Sequence, residues 1–117
     1  GFALRSDFGR GYPDYDPYNN AASRLLERGE ADALLWISSF NETRLPPPTD
    51  VPTIVLGRPD MRCEREPDVF IPVGTSGVDH AGHFVRSDKV VTMRLGKLRD
   101  GGPSPVAQVV AQIEAAL

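Results

Sequence analysis

The apolar positions near the start of the chain follow the repeat of an amphipathic helix. Asp16 is placed to cap this helix, Pro17 suits its first position, and Gly29 provides its C-terminal stop. Between these signals the apolar positions recur at i, i+3, i+4, i+7 and i+8, and they are Tyr18, Ala21, Ala22, Leu25 and Leu26. The pattern predicts a helix from about residue 17 to residue 28.

A second helical pattern closes the chain. Gly101 and Gly102 break the preceding segment, Ser104 is placed to cap the helix, and Pro105 suits its first position. One apolar stripe follows at Val106, Val109, Val110, Ile113 and Leu117. We therefore expect a helix that packs one face against the rest of the domain.

Three short apolar runs separate the two helices, and each predicts a strand. They cover residues 33–37, 53–56 and 69–73. The first run does not alternate with polar residues, which is typical of a parallel strand covered on both faces. Pro72 lacks a backbone donor, so the third strand should end at an edge or exit of its sheet.

Two further extended segments, residues 84–86 and 90–95, flank a polar turn at residues 87–89 and predict a β-hairpin. The succession of helix, three strands, hairpin and helix indicates an α/β fold. We expect a layered, Rossmann-like domain with a small, mainly parallel sheet, flanking helices and a C-terminal β-hairpin. All 117 residues fit one such domain, and the opening residues read as the continuation of a longer chain.

Charge and composition exclude several classes of partner. The net charge of -3 provides no basic field for nucleic acid or for an anionic membrane. The longest apolar run, residues 33–37, is far too short to span a bilayer. Cys63 is the single cysteine, so no internal disulfide can form, and a lone thiol fits a reducing, cytoplasmic compartment.

The tyrosines near the start of the chain are candidates for contact with a partner. Tyr12, Tyr15 and Tyr18 stand beside Asp14 and Asp16. Aromatic platforms for nucleic acid need basic neighbours, which are missing here. A surface that packs on a partner, or on the rest of the parent protein, is the better interpretation.

The only histidines, His80 and His83, follow Asp79 in a glycine-containing loop. Because Gly82 separates the two rings and a zinc site needs at least three protein ligands, we expect a structural role and no metal site. Cys63 has Arg neighbours, but the sequence places no histidine near it that could act as a base. It is therefore interpreted as a thiol without a catalytic role. The residues alone therefore indicate no catalytic set.

Two hydroxyl pairs stand where predicted parallel strands end: Ser38 with Ser39, and Thr75 with Ser76. Open α/β sheets bind ligands outside the carboxyl ends of their strands, so these loops are candidates for binding a phosphate or a pterin. Serine and threonine also simply terminate strands, and that structural interpretation stays open. The segment 74–77 matches neither a P-loop nor a dinucleotide-binding fingerprint.

One long segment adds a resemblance. Residues 68–95, which contain Phe-Ile-Pro-Val-Gly-Thr-Ser-Gly-Val-Asp-His-Ala-Gly-His-Phe-Val-Arg, resemble part of the B subunit of formylmethanofuran dehydrogenases and, more distantly, the molybdopterin oxidoreductases. Residues 29–37 and 94–100 are similar to the same domain. The resemblance covers nearly the whole chain but only the C-terminal part of a family member, and it is most specific over residues 70–86.

In members that use molybdenum or tungsten, the matching layer helps to clasp a pterin guanine dinucleotide. The resemblance implies that two loops face this cofactor and that two further residues lie near the hairpin turn. The implied cofactor-binding residues are Ser38, Ser39, Phe40, Gly74, Thr75, Ser76, Gly77, Arg86 and Asp88. Metal-binding and catalytic residues of such enzymes lie in other segments, so none is assigned here.

The resemblance leaves two main alternatives for the function. The first is the B subunit of the bacterial formyltransferase/hydrolase complex, which resembles the dehydrogenase subunit without its cofactor; residues 73–83 are closer to this type. It implies a non-catalytic structural domain that contacts the other subunits and the rest of its own chain. The alternative is a dehydrogenase domain that binds molybdopterin guanine dinucleotide. A third possibility is an autonomous α/β domain for a small ligand.

Overall fold

The computed structural model describes residues 6–41, 43, 45–86 and 91–116. Seven strands and two helices lie in this part of the chain. The strands are β1 (Ser6–Asp7), β2 (Asp14–Tyr15), β3 (Leu34–Ser38), β4 (Thr53–Gly57), β5 (Val69–Pro72), β6 (Gly82–Val85) and β7 (Thr92–Leu95). The helices are α1 (Ala22–Glu27) and α2 (Val106–Ala116).

The central sheet is parallel and has the order β3-β4-β5. The antiparallel pair β6–β7 forms the predicted hairpin, whose turn at residues 87–89 lies outside the described residues. Pro72 is the last residue of β5, and β5 is an edge strand of this sheet. The residue without a backbone N–H therefore lies at the end of an edge strand, as predicted. The predicted α/β class, with a parallel sheet, two helices and a C-terminal hairpin, is confirmed.

The core lies between one face of this sheet and α2. Its members are the buried Leu56, Val73 and Val109, surrounded by half-buried Ile54, Ile71, Val106 and Ile113. Helix α2 thus presents Val106, Val109 and Ile113 of the predicted apolar stripe to the sheet, whereas Val110 is exposed and Leu117 lies outside the described residues. The helix begins one residue later than predicted, because the carbonyl of Pro105 accepts the first helical hydrogen bonds, from Gln108 and Val109.

The first helix is shorter than the sequence predicts. Asp16 accepts hydrogen bonds from the backbone N–H groups of Tyr18 and Asn19, and its own carbonyl accepts from Asn20. These bonds close an isolated turn, and Ala21 then adopts an extended conformation (ψ 130°) before α1 starts. Asp16 therefore caps a turn and not the helix, because Asp and Asn side chains compete for backbone donors that a helix would use.

The predicted end of the first helix is confirmed in detail. Gly29 has a positive φ of 66°, and its N–H donates to the carbonyl of Leu26. The next N–H, from Glu30, donates back to Leu25. These two bonds form a Schellman motif, which satisfies the last carbonyls of the helix and favours glycine at the left-handed position.

Two further expectations need correction. The sequence pattern predicts no strand before α1, but β1 and β2 pair there, with Ser6 opposite Tyr15. Strand β3 is parallel, as predicted, yet it is not covered on both faces: Leu35 and Ile37 are 46% and 47% exposed. Within the described residues, no helix combines the length and the hydropathy that crossing a bilayer would require.

Candidate functional site

The loops that follow β3 and β5 meet at the carboxyl end of the parallel sheet. The Thr75 hydroxyl donates to the carbonyl of Ser39 over 2.8 Å and so ties the two loops together. The Ser38 hydroxyl, at the buried end of β3, donates to the carbonyl of Asn41 over 2.6 Å. The structure thus brings together the two hydroxyl-bearing loops singled out in the sequence, and both of these hydroxyls bond to backbone carbonyls.

A buried carboxylate organises the loop after β5. The side chain of Asp79 is 3% exposed, and its Oδ2 accepts a hydrogen bond from the backbone N–H of Thr75 over 2.8 Å. Its Oδ1 accepts from Arg99 Nε over 2.5 Å. The N–H groups of Leu98 and Arg99 both donate to the carbonyl of Val78. Asp79 therefore holds the loop after β5 against the segment that leads to α2.

Sequence reasoning missed the Asp79–Arg99 pair. Asp79 was considered only as a neighbour of the two histidines, and Arg99 lies 20 residues further along the chain. An aspartate in a Gly- and Ser-rich loop is a usable signal for a carboxylate that accepts backbone hydrogen bonds. The sequence contains no comparable signal for its cationic partner, because that contact depends on how the hairpin returns the chain to the sheet.

The glycines of the same loop are required by close packing. A Cβ atom added at Gly74 would lie 2.5 Å from the carbonyl oxygen of Pro103. Gly77 has a positive φ of 82°, and a Cβ atom there would lie 3.1 Å from Leu95 Cδ1. Gly74 is buried by the chain's own segment before α2, so its close approach serves the fold.

The remaining predicted site residues occupy different surroundings. The Phe40 ring packs edge-on against Phe84 of the hairpin, with 6.5 Å between ring centroids, and both rings are exposed. Ser76 and His80 form an isolated parallel β-bridge through their backbones. Arg86 is exposed just after β6, where its N–H donates to the carbonyl of Val91. Asp88 lies outside the described residues.

The histidines belong to the same loop and hairpin. His80 places Nε2 3.2 Å from the carbonyl oxygen of Gly74 and Nδ1 2.9 Å from that of Ala81. His83 lies on β6, opposite Arg94 of β7. Over the ranges that the structure describes, no group of three or more His, Cys, Asp and Glu side chains is arranged to hold a metal ion.

A separate cavity of about 260 Å³ opens at the other end of the sheet. Its walls are residues 46–53, which contain the proline triplet, and residues 64–68. Arg65 joins the two walls, because its side chain donates hydrogen bonds to the carbonyl of Thr49 and to the carboxylate of Asp50. The sequence does not predict this cavity, which lies away from the carboxyl-end loops.

The buried carboxylate makes stability depend on pH. The hydrogen bond from Arg99, and then that from the N–H of Thr75, lower the pKa of Asp79 below its ordinary value of 3.8. Because its pKa is lower in the folded state than in the unfolded state, the stabilisation is present above pH 3.8 and is lost as the pH falls through the lower, folded-state pKa.

Asp79→Asn should therefore lower Tm near neutral pH and should flatten the fall of Tm on acidification below pH 3.8. Thermal unfolding followed by circular dichroism across that range measures both effects. Asp60→Asn provides the control, because Asp60 also pairs with an arginine but is itself exposed. Equal Tm profiles for the two variants would contradict the organising role of Asp79.

The bond between the two loops gives a second prediction. Thr75→Val removes the hydroxyl donor to Ser39 with little change in shape, and it should destabilise the fold by about 1 kcal/mol. Hydrogen exchange should show faster exchange in residues 74–77. Thr43→Val, which removes an exposed hydroxyl bonded to Asn41, is the matched control and should leave the exchange of residues 74–77 unchanged.

The geometry defines a class of protein: a parallel α/β sheet whose carboxyl-end loops are tied together, with a buried aspartate paired to an exposed arginine. No model of a known protein family matches the chain. The chain is 30% identical over 95 residues to the B subunit of the tungsten-containing formylmethanofuran dehydrogenase 2 of Methanocaldococcus jannaschii. That alignment covers 77% of this chain and 22% of the relative.

A bacterial protein gives a similar match. Over 84 residues the chain is 34% identical to the B subunit of the formyltransferase/hydrolase complex Fhc of Methylorubrum extorquens, covering 70% of this chain and 23% of the relative. The predicted resemblance is therefore confirmed: over most of its length the chain is homologous to one segment of these B subunits. It spans less than a quarter of the length of the curated relatives it matches.

A solved structure shares the fold. A chain in the crystal structure of the formyltransferase/hydrolase complex FhcABCD from Methylorubrum extorquens, determined with methylofuran, superposes with a TM-score of 0.73. The match covers 95% of this chain and 32% of that chain at 24% sequence identity. The architecture seen here is therefore the architecture of a segment within a larger polypeptide of that complex.

Proposed function

We propose that this chain is a non-catalytic structural domain of the B subunit in a formyltransferase/hydrolase complex. Such a complex acts in the tetrahydromethanopterin-linked conversion of formaldehyde to formate. The observation that carries the proposal is how the predicted ligand-binding hydroxyls are used. Ser38 donates to the carbonyl of Asn41 within its own loop, and Thr75 donates to that of Ser39 in the other loop, so both hydroxyls are engaged with the protein itself.

Relatives of both kinds match the chain to a similar degree. Identity is 34% over 84 residues to the bacterial B subunit and 30% over 95 residues to the archaeal dehydrogenase subunit of Methanocaldococcus jannaschii, so the proposal rests on the hydroxyl groups. In this role the domain contacts the other subunits and the remaining part of its own polypeptide, in the cytoplasm. Formyl transfer and hydrolysis take place on those other subunits.

The alternative is a domain that binds molybdopterin guanine dinucleotide in a molybdenum or tungsten formylmethanofuran dehydrogenase. The observation in its favour is that residues 38–40 and 74–77 meet at the carboxyl end of the parallel sheet, where α/β folds bind ligands. The fit is partial. Ser38, Thr75 and Gly74 are engaged with the protein itself, which leaves the exposed Phe40 and the half-buried Ser39 and Ser76 to contact a pterin or its phosphates.

Metal analysis, with pterin extraction, of the complex purified from its source decides between these functions. We expect formyltransferase and hydrolase subunits to co-purify, with molybdenum and tungsten far below one atom per chain. One metal atom and one pterin guanine dinucleotide per chain would overturn the structural role and establish the dehydrogenase alternative. The elements are measured by mass spectrometry, and the pterin by the fluorescence of its oxidised form.

A further inference from the structure

Asp100 is followed by Gly101 at an exposed bend between β7 and α2. No other aspartate or asparagine in the sequence precedes a glycine. The side chain of Asp100 is 97% exposed, and Gly101 has a positive φ of 74°. An aspartate in this setting is a candidate for a change in its own covalent structure.

The residue that follows an aspartate decides how readily the aspartate isomerises. Isomerisation begins when the backbone nitrogen of the next residue attacks the carboxyl carbon of the aspartate side chain. A Cβ atom on that next residue hinders the approach. Glycine has no Cβ and adopts many backbone conformations, so it obstructs the attack least. Asp100 and Gly101 also lie outside the helices and strands, so no regular element holds their peptide unit in place.

The carboxylate of Asp100 is weakly held. Its Oδ1 lies 2.5 Å from Lys97 Nζ, and the Lys97 side chain is itself 45% exposed. Ion pairs between exposed side chains are weak because water screens them, so this pair opens readily and frees the carboxyl group to react. Asp79 provides the contrast, since its side chain is 3% exposed and both of its oxygens accept hydrogen bonds.

We propose that Asp100 converts spontaneously to isoaspartate and that this change releases the loop after β5. The backbone nitrogen of Gly101 loses its proton and bonds to the side-chain carboxyl carbon of Asp100, and water leaves, which closes a five-membered succinimide ring. Hydrolysis then adds one water molecule and breaks one of the two C–N bonds of the ring. Cleavage at the former main-chain carbonyl leaves the peptide bond on the side-chain carbonyl, with one more methylene in the backbone and no net change in mass.

The added methylene falls within the segment that holds the loop after β5. On one side of Asp100, Arg99 donates to the buried carboxylate of Asp79. On the other side, Gly102 packs so closely on Asp79 that a Cβ atom added at Gly102 would collide with this carboxylate. Close-packed contacts do not accommodate a longer backbone between them, so isoaspartate at residue 100 should separate Arg99 or Gly102 from Asp79.

Peptide mapping of the full-length polypeptide, within its assembly purified from the native source, tests the covalent step. The assembly is kept at physiological temperature and neutral pH and is digested at intervals. Mass spectrometry with electron-transfer fragmentation distinguishes the aspartate and isoaspartate peptides, which have equal mass. Asp60 is the control within the same molecule, because it is exposed but precedes Met61. Asp100→Glu is the matched variant, because it keeps the charge but would require a six-membered ring that closes far more slowly.

We expect isoaspartate to accumulate at residue 100 and not at residue 60, and the signal at residue 100 to be lost in Asp100→Glu. Absence of isoaspartate at residue 100, or equal amounts at residues 60 and 100, would overturn the proposal.

Hydrogen exchange on the same samples tests the effect on the loop. Exchange in residues 74–79 should become faster as isoaspartate accumulates, and it should stay slow in Asp100→Glu samples of equal age. Protein isoaspartate methyltransferase with S-adenosylmethionine returns isoaspartate to aspartate through the succinimide, so treatment of aged samples should restore slow exchange. Exchange that becomes equally fast in Asp100→Glu, or that this treatment does not slow, would contradict the release of the loop.

Discussion

Gly74→Ala should destabilise the fold by about 2–3 kcal/mol, the cost of inserting a methyl group where the surroundings leave no room. The added Cβ would lie 2.5 Å from the carbonyl oxygen of Pro103, a backbone atom, and 3.0 Å from the Cβ of Asp79. Gly74 has little freedom to retreat, because its N–H donates to the carbonyl of Ser104. Urea denaturation followed by circular dichroism gives the change in free energy of unfolding.

Gly96→Ala is the matched control for this experiment. Gly96 stands at the end of the hairpin with no atom within 4 Å of the position of an added Cβ, and the same substitution there should change stability by no more than a few tenths of a kcal/mol. If Gly74→Ala were as stable as Gly96→Ala, the loop after β5 would not be held against the segment before α2. The organising role of Asp79 would then fail as well.

The elements that the sequence predicts correctly are those with local causes. Gly29 ends α1 because glycine readily adopts the left-handed conformation that closes the last turn. The three parallel strands are recognisable because continuous apolar runs too short for helices have few other structures available. The class of fold follows from these local signals, since parallel strands separated by loops must associate side by side to satisfy their backbones.

The features that the sequence does not predict depend on competition or on distance. A turn forms at Asp16 in place of a longer helix, because the Asp16 carboxylate accepts two backbone hydrogen bonds. The spacing of apolar residues does not show that this turn is available. In the candidate site, the meeting of the two loops follows from parallel strand order. The hydrogen bonds from Thr75 to Ser39 and from Arg99 to Asp79 join residues that are 36 and 20 positions apart in sequence, so no local pattern predicts them.

Leu56→Ala should destabilise the fold by about 3 kcal/mol, because it removes a buried side chain and leaves a cavity. Leu56 is fully buried at the centre of the contact between the sheet and α2, and it is the largest of three such side chains, with Val55 and Val73. The free energy of unfolding is measured by urea denaturation, and Leu98→Ala serves as the exposed control. Equal losses for the two variants would contradict the position of the core.

The size of this loss matters because the core is small. A domain of this size has roughly 5–15 kcal/mol of net stability, so the Leu56→Ala chain should stay folded alone but lose a large share of that stability. A partner that binds only the folded chain would add its binding free energy to that stability. The same variant should therefore unfold at a higher temperature in the assembly than alone. Identical unfolding temperatures in both states would show that the partner contributes nothing to this fold.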